Sequence, residues 1–122
     1  MMVAMLIEVW TDIVCPFCYI GKHALAQALQ DFEHADEVQV LGHGYELDPS
    51  ADNTPQLPLD QLIAAKDGIS RQQAGEQCDD VAATAAELGL TFNWREAKHS
   101  GTRDAHRLLA LAATMGKRAE AE

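Results

Sequence analysis

Leu6, Ile7, Val9 and Trp10 make a short apolar run within residues 5–10. Apolar groups on both faces predict a strand buried on both sides. From Tyr19 to Phe32, Ile20, Leu25, Ala28, Leu29 and Phe32 recur near helical spacing and predict an amphipathic helix. Residues 38–47 predict a second strand centred on Val38, Val40 and Leu41. Gly42 and Gly44 share one face of it, the mark of a neighbour packing close. Strand, helix, strand is a βαβ unit with a parallel pair.

The pattern changes after residue 48. Residues 48–58 are rich in Pro, Asp and Asn and predict a connector. It divides the chain into a βαβ half, residues 1–48, and a helical region, residues 49–122. Leu59, Leu62 and Ile63 predict a short helix ended by Gly68. Ser70 with Gln73 three residues on is a capping box. It opens a longer helix whose seam is Ala74, Cys78, Val81, Ala85 and Leu88, closed by Gly89. Phe92 and Trp94 are expected to pack beneath the helices; stacking on a substrate is the other role open to them. Thr102 is expected to cap a last helix that buries Ala105, Leu108, Leu109, Ala112 and Met115. His106 and Arg107 fall on its polar rim. The charged tail, residues 117–122, is expected to fray.

Length and charge narrow the function classes. A chain of 122 residues suits one modest domain, and 48% hydrophobic residues allow a core. A net charge of −10 argues against nucleic acid or an anionic membrane as partner. The apolar start, Met1 to Ile7, has no basic flank and is too short for a signal or a membrane span. A cytoplasmic location is therefore expected. In a reducing compartment a close cysteine pair points to catalysis or metal binding rather than a structural staple.

Such a pair sits where the first strand feeds the first helix, at Cys15-Pro16-Phe17-Cys18. A helix N-terminus offers free backbone N–H groups and a partial positive charge. Pro16 suits the first turn, since its missing N–H had no partner to find. The N–H groups of Phe17 and Cys18 are then expected to face the Cys15 sulfur and favour the thiolate. Two cysteines at this spacing can be half of a zinc site, a redox pair or inert thiols. Zinc needs four ligands; only Cys78 remains, and His99 and His106 form no tight pair. No metal or cofactor is expected, and the strand–turn–helix setting favours the redox pair.

The neighbouring residues each admit two roles. Asp12, three residues before Cys15, is either a turn-forming residue or a carboxylate that carries protons for the thiols. Lys22 and His23 on the second turn are solvated or assist the thiolate. His43 reads as an ordinary strand residue. Cys78 reads as a small buried hydrophobe, with a resolving or regulatory thiol as the alternative.

With these residues in view, Ile7-Glu8-Val9-Trp10-Thr11-Asp12-Ile13-Val14-Cys15-Pro16-Phe17-Cys18-Tyr19-Ile20-Gly21-Lys22 resembles the opening of the DsbA-like, FrnE-type thiol oxidoreductases. Thr102-Arg103-Asp104-Ala105-His106-Arg107-Leu108-Leu109 resembles a helix of that group's inserted helical domain, and Gly89-Leu90 closing the preceding helix also fits. The resemblance implies an α/β, thioredoxin-like fold with a helical insertion after the second strand. It implies exchange with protein or small-molecule thiols and disulfides. Cys15 and Cys18 are the candidate catalytic thiols and Asp12 the candidate proton carrier. Pro16 and Phe17, between the thiols, are the candidate substrate contacts.

One departure bears on activity. The family's chains continue into further strands and a cis-proline loop beside the thiols. The prolines here are Pro16, Pro49, Pro55 and Pro58, none after the helical region. Two strands alone rarely make a self-sufficient sheet. The expectation is a fragment, a truncated product, or a protein whose sheet a second chain or second copy completes. A non-catalytic interaction module is the alternative reading. A glutathione-dependent isomerase related to 2-hydroxychromene-2-carboxylate isomerase ranks lower, since those resemble this chain but carry Ser at the place of Cys15.

Overall fold

The computed structural model describes residues 3–52 and 57–122. Pro55 and the middle of the connector lie outside the described residues, as do the first two residues of the apolar N-terminal run. Two parallel strands form the sheet: β1, Met5–Thr11, and β2, Val38–Gly44, with Met5 opposite Val38 and Thr11 opposite Gly44. Parallel strands need a crossover, and α1, Pro16–Gln30, supplies it. β2 ends three residues before the sequence-based boundary. Tyr45 N–H still reaches Thr11 O at 2.9 Å, but Leu47 N–H turns to the Asp12 side chain.

Among the described residues four α-helices follow: α2, Leu59–Asp67; α3, Arg71–Glu87; α4, Arg103–Thr114; and α5, Arg118–Ala121. Gly68 ends α2 at φ 67°, a left-handed conformation that only glycine enters freely. The capping box of α3 forms in both directions: Gln73 N–H donates to Ser70 Oγ and Ser70 N–H to Gln73 Oε1, each at 3.1 Å.

The core lies in this helical region. Ala74, Cys78 and Ala85 of the α3 seam are buried, and Trp94 is inserted from a single 3-10 turn, Trp94–Glu96. The indole N–H donates to Asp79 Oδ1 at 3.0 Å, and the Arg95 guanidinium stacks 4.2 Å from the ring centre. A buried indole thereby keeps its polar group satisfied. Burial pushes the Cys78 thiol pKa up, and Asp60 and Asp79 add to this. From α4 come Leu109 and Ala112. Leu108 and Met115, expected inside, are 61% and 67% exposed. Positions 105, 109 and 112 form one helical stripe; 108, 111 and 115 form a second, and only the first meets the core.

The sheet differs from expectation too. Met5, Leu6, Trp10, Val40 and Leu41 are exposed, because two strands and one crossover helix do not cover both faces. The glycine pair does mark close packing. A Cβ at Gly42 would come within 2.9 Å of Arg118 Nε, and one at Gly44 within 2.6 Å of His106 Nδ1. The tail is helical rather than frayed, held to α1 by Lys22 Nζ and Glu122 Oε2 at 3.2 Å. Among the described residues all peptide bonds are trans, and no helix is long and apolar enough to cross a membrane.

Candidate active site

Cys15 stands at the N-cap of α1, at φ −93° and ψ 112°, with Pro16 as the first helical residue. The turn before it is closed by Cys15 N–H donating to Asp12 O at 3.3 Å. Its carbonyl accepts from Cys18 N–H at 3.1 Å and Tyr19 N–H at 3.3 Å. This corrects one sequence-based expectation: the Cys18 N–H serves the Cys15 carbonyl, and the Cys15 side chain makes no capping hydrogen bond. A tight first turn competes for the donors that the sulfur would need.

Both cysteines are half-buried free thiols. They line a cleft of about 480 Å³ together with Asp12, Tyr19, Lys22 and His23. Cys15 also lines a second cleft of about 360 Å³, with Pro16 on its own side and Phe92, His99 and Ala105 of the helical region opposite. Phe17 is 66% exposed beside the thiols. Lys22 is paired with Glu122, and His23 Nδ1 lies 3.0 Å from Tyr19 O.

The Cys18 thiol has a raised pKa. Burial is the largest cause. The Asp12 backbone N–H nearby works the other way, while the Cys15 sulfur and the Asp12 charge push it up further.

Asp12 is 4% exposed and ties three segments together. Oδ1 accepts from Ile13 N–H at 2.8 Å and lies 3.0 Å from His106 Nε2. Oδ2 accepts from Leu47 N–H at 2.8 Å, and the Thr102 hydroxyl is a further partner. Burial alone would raise this carboxyl's pKa; the hydrogen bonds from Leu47, Thr102, His106 and Ile13 outweigh it and hold the group below the usual carboxylate value. Thr102 does occupy the N-cap position of α4, but its hydroxyl serves Asp12 and caps nothing.

His106 was expected on a polar rim. Its side chain is only 13% exposed, and it meets a carboxylate 94 residues away. Two signals were available in the sequence: Gly44, which leaves room for its ring, and Asp12, a carboxylate on the turn before Cys15. Neither named the partner. His43 instead pairs with Glu8 at 3.0 Å and stacks on Trp10, with ring centres 4.7 Å apart. Among the described residues no group of three or more His, Cys, Asp or Glu side chains is placed to hold a metal.

A parallel βαβ unit, two thiols on the first turn of its helix and a helical insertion after the second strand define a mixed α/β, thioredoxin-like domain. The chain belongs to the DSBA-like thioredoxin domain family, whose model matches residues 6–122. Among solved structures it is similar to a probable DsbA oxidoreductase from Streptomyces coelicolor, with 40% sequence identity and a TM-score of 0.88 over 93% of this chain. The match covers 48% of that protein, so the chain spans about half its length. No curated protein matches the chain.

Proposed function

We propose that the chain performs thiol–disulfide exchange through Cys15 and Cys18. The observation that carries this reading is the position of Cys15 at the mouth of α1, facing two clefts, with Cys18 one turn further on. A helix N-terminus stabilises an anion by about 0.3–2 kcal/mol. With the Cys18 N–H engaged elsewhere, that dipole is the main support for a Cys15 thiolate.

The Cys15 thiolate attacks one sulfur of a substrate disulfide. The S–S bond breaks, a mixed disulfide forms, and the other substrate sulfur leaves and takes a proton. The Cys18 thiol then loses its proton and attacks the Cys15 sulfur. The second substrate sulfur leaves as a thiol, and Cys15–Cys18 is left oxidised. One disulfide is reduced and one dithiol oxidised; the reverse sequence oxidises a substrate dithiol.

Pro16 and the exposed Phe17 flank the thiols and are proposed to touch the substrate. Residues 1–48 would then carry the chemistry, and 49–122 the far wall of the second cleft. Both Asp12 oxygens are engaged, which supports a fixed charge beside Cys18 over a mobile proton carrier. The 7–22 and 102–109 motifs support an FrnE-type member. Three cysteines with none in a bridge suit a reducing, cytoplasmic setting.

Reduction of insulin by dithiothreitol tests the reading, on protein shown to be folded. Turnover that disappears in Cys15→Ser supports it. The open sheet faces favour a second reading, a non-catalytic module completed by another chain or copy. A folded, cooperative chain without turnover supports that one instead.

A further inference from the structure

We infer that His106 is a positioning residue for the thiol pair and acts on Cys18 through Asp12. The inference rests on the redox reading of Cys15 and Cys18 and adds a residue of the helical region to it. Three observations carry it. The His106 ring reaches its place only because position 44 has no side chain: a Cβ there would stand 2.6 Å from Nδ1. Its Nε2 lies 3.0 Å from Asp12 Oδ1 in a nearly closed site. Asp12 in turn reaches the thiol turn, since its carbonyl accepts from Cys15 N–H and it lines the same cleft as Cys18.

The hydrogen-bond pattern selects a tautomer. The carboxylate needs a donor, so Nε2 carries the proton. Nδ1 is buried with no partner among the described residues, and a second proton there would meet no acceptor. Donating from Nε2, His106 orients Asp12 and draws its charge toward α4. Among the described residues, Tyr19 lines both clefts at this node, and Lys98 and His99 line the smaller one with Cys15. Cys15 stands beside Cys18; Lys22 and His23 of α1 and Glu122 beyond α5 face them across the larger cleft. Glu46, after β2, is taken up by Arg103 at 2.9 Å.

Losing the imidazole removes one donor from Asp12, so its charge weighs more heavily on Cys18 and the loop between the thiols loosens. Cys18 stays protonated to higher pH, and resolution of a mixed disulfide slows. His106 acts on the thiol loop through the Asp12 carboxylate, so the effect must vanish when the Asp12 charge is absent.

The test follows Cys18 alone, in a Cys15→Ser background, by its rate of alkylation across pH. His106→Ala should slow alkylation several-fold at neutral pH and move the profile upward. His106→Gln, which keeps an N–H donor, should restore it. Asp12→Asn should move the profile downward, and His106→Ala added to it should change nothing further. An unmoved profile in His106→Ala, or an equal shift with and without the Asp12 charge, overturns the inference. The native residue gives a second reading that needs no folded His106 variant. Titration of Cys18 should appear as a step in the imidazole nitrogen shifts of His106, and a flat response overturns the inference. Neither readout needs turnover, so a chain that fails to reduce insulin but shows the coupling sinks the redox reading alone.

Discussion

The helical region and the βαβ half treat their apolar residues in opposite ways. Among the described residues, Ala74, Cys78, Ala85, Trp94, Leu109 and Ala112 are the buried hydrophobic ones, and all belong to the helical region. The βαβ half buries Asp12 instead, and leaves Met5, Leu6, Trp10, Val40 and Leu41 open. Stability and the proposed chemistry are thus carried by different parts of the chain. The helices supply a packed seam, and the strand–helix turn supplies two thiols and the charge beside them. The buried Asp12, 3.0 Å from His106 of α4, is one place where the two parts are joined, beside the Glu46–Arg103 and Lys22–Glu122 pairs.

Substitutions on the two sides should separate cleanly. Cys15→Ser should reduce insulin reduction to the uncatalysed level and leave the urea midpoint unchanged, since a half-exposed thiol adds little packing. Trp94→Ala should do the reverse. Loss of a buried indole costs about 3–5 kcal/mol, to be read from urea unfolding, with Cys15 alkylation unchanged wherever the variant is folded. Asp12→Asn sits on the join and should affect both. An amide cannot accept on both sides, so one buried N–H loses its partner at about 1–3 kcal/mol.

The Asp12 carboxyl also sets a pH dependence. Its folded value lies below its unfolded one. The stability it contributes is therefore fully present above the unfolded value and is lost as pH falls through the folded one. The parent chain should lose stability below about pH 4 more steeply than Asp12→Asn, measured by urea titrations at stepped pH. Smallest of all, Ser70→Ala removes the capping box and should cost about 1 kcal/mol, with no effect on the thiols.

Local patterns in the sequence match the structure. Ser70 and Gln73 form the cap that their spacing implies, the α3 seam packs at four-and-three spacing, and Gly42 and Gly44 do meet close neighbours. Each of these depends on residues within a turn or on one face of one element. Misses came where a distant partner decides. Thr102 looks like a cap by its neighbours but gives its hydroxyl to Asp12. His106 looks like a rim residue by its helical position but is drawn inward by the same carboxylate. The two stripes of α4 were merged because both are apolar, and only tertiary packing picks one. The place of Cys15 at the start of α1 was legible from the strand–helix pattern; the geometry of the donors there was not, because a first-turn N–H can serve either a sulfur or a carbonyl.

The most direct test of the account is the order in which the three cysteines of the folded, reduced chain react with iodoacetamide at neutral pH, read by mass spectrometry of the digested protein. Cys15 should react first, Cys18 behind it because its thiol pKa is raised, and the buried Cys78 last. Equal rates at Cys15 and Cys18, or Cys78 reacting first, would contradict the claim that the mouth of α1 makes Cys15 the nucleophile.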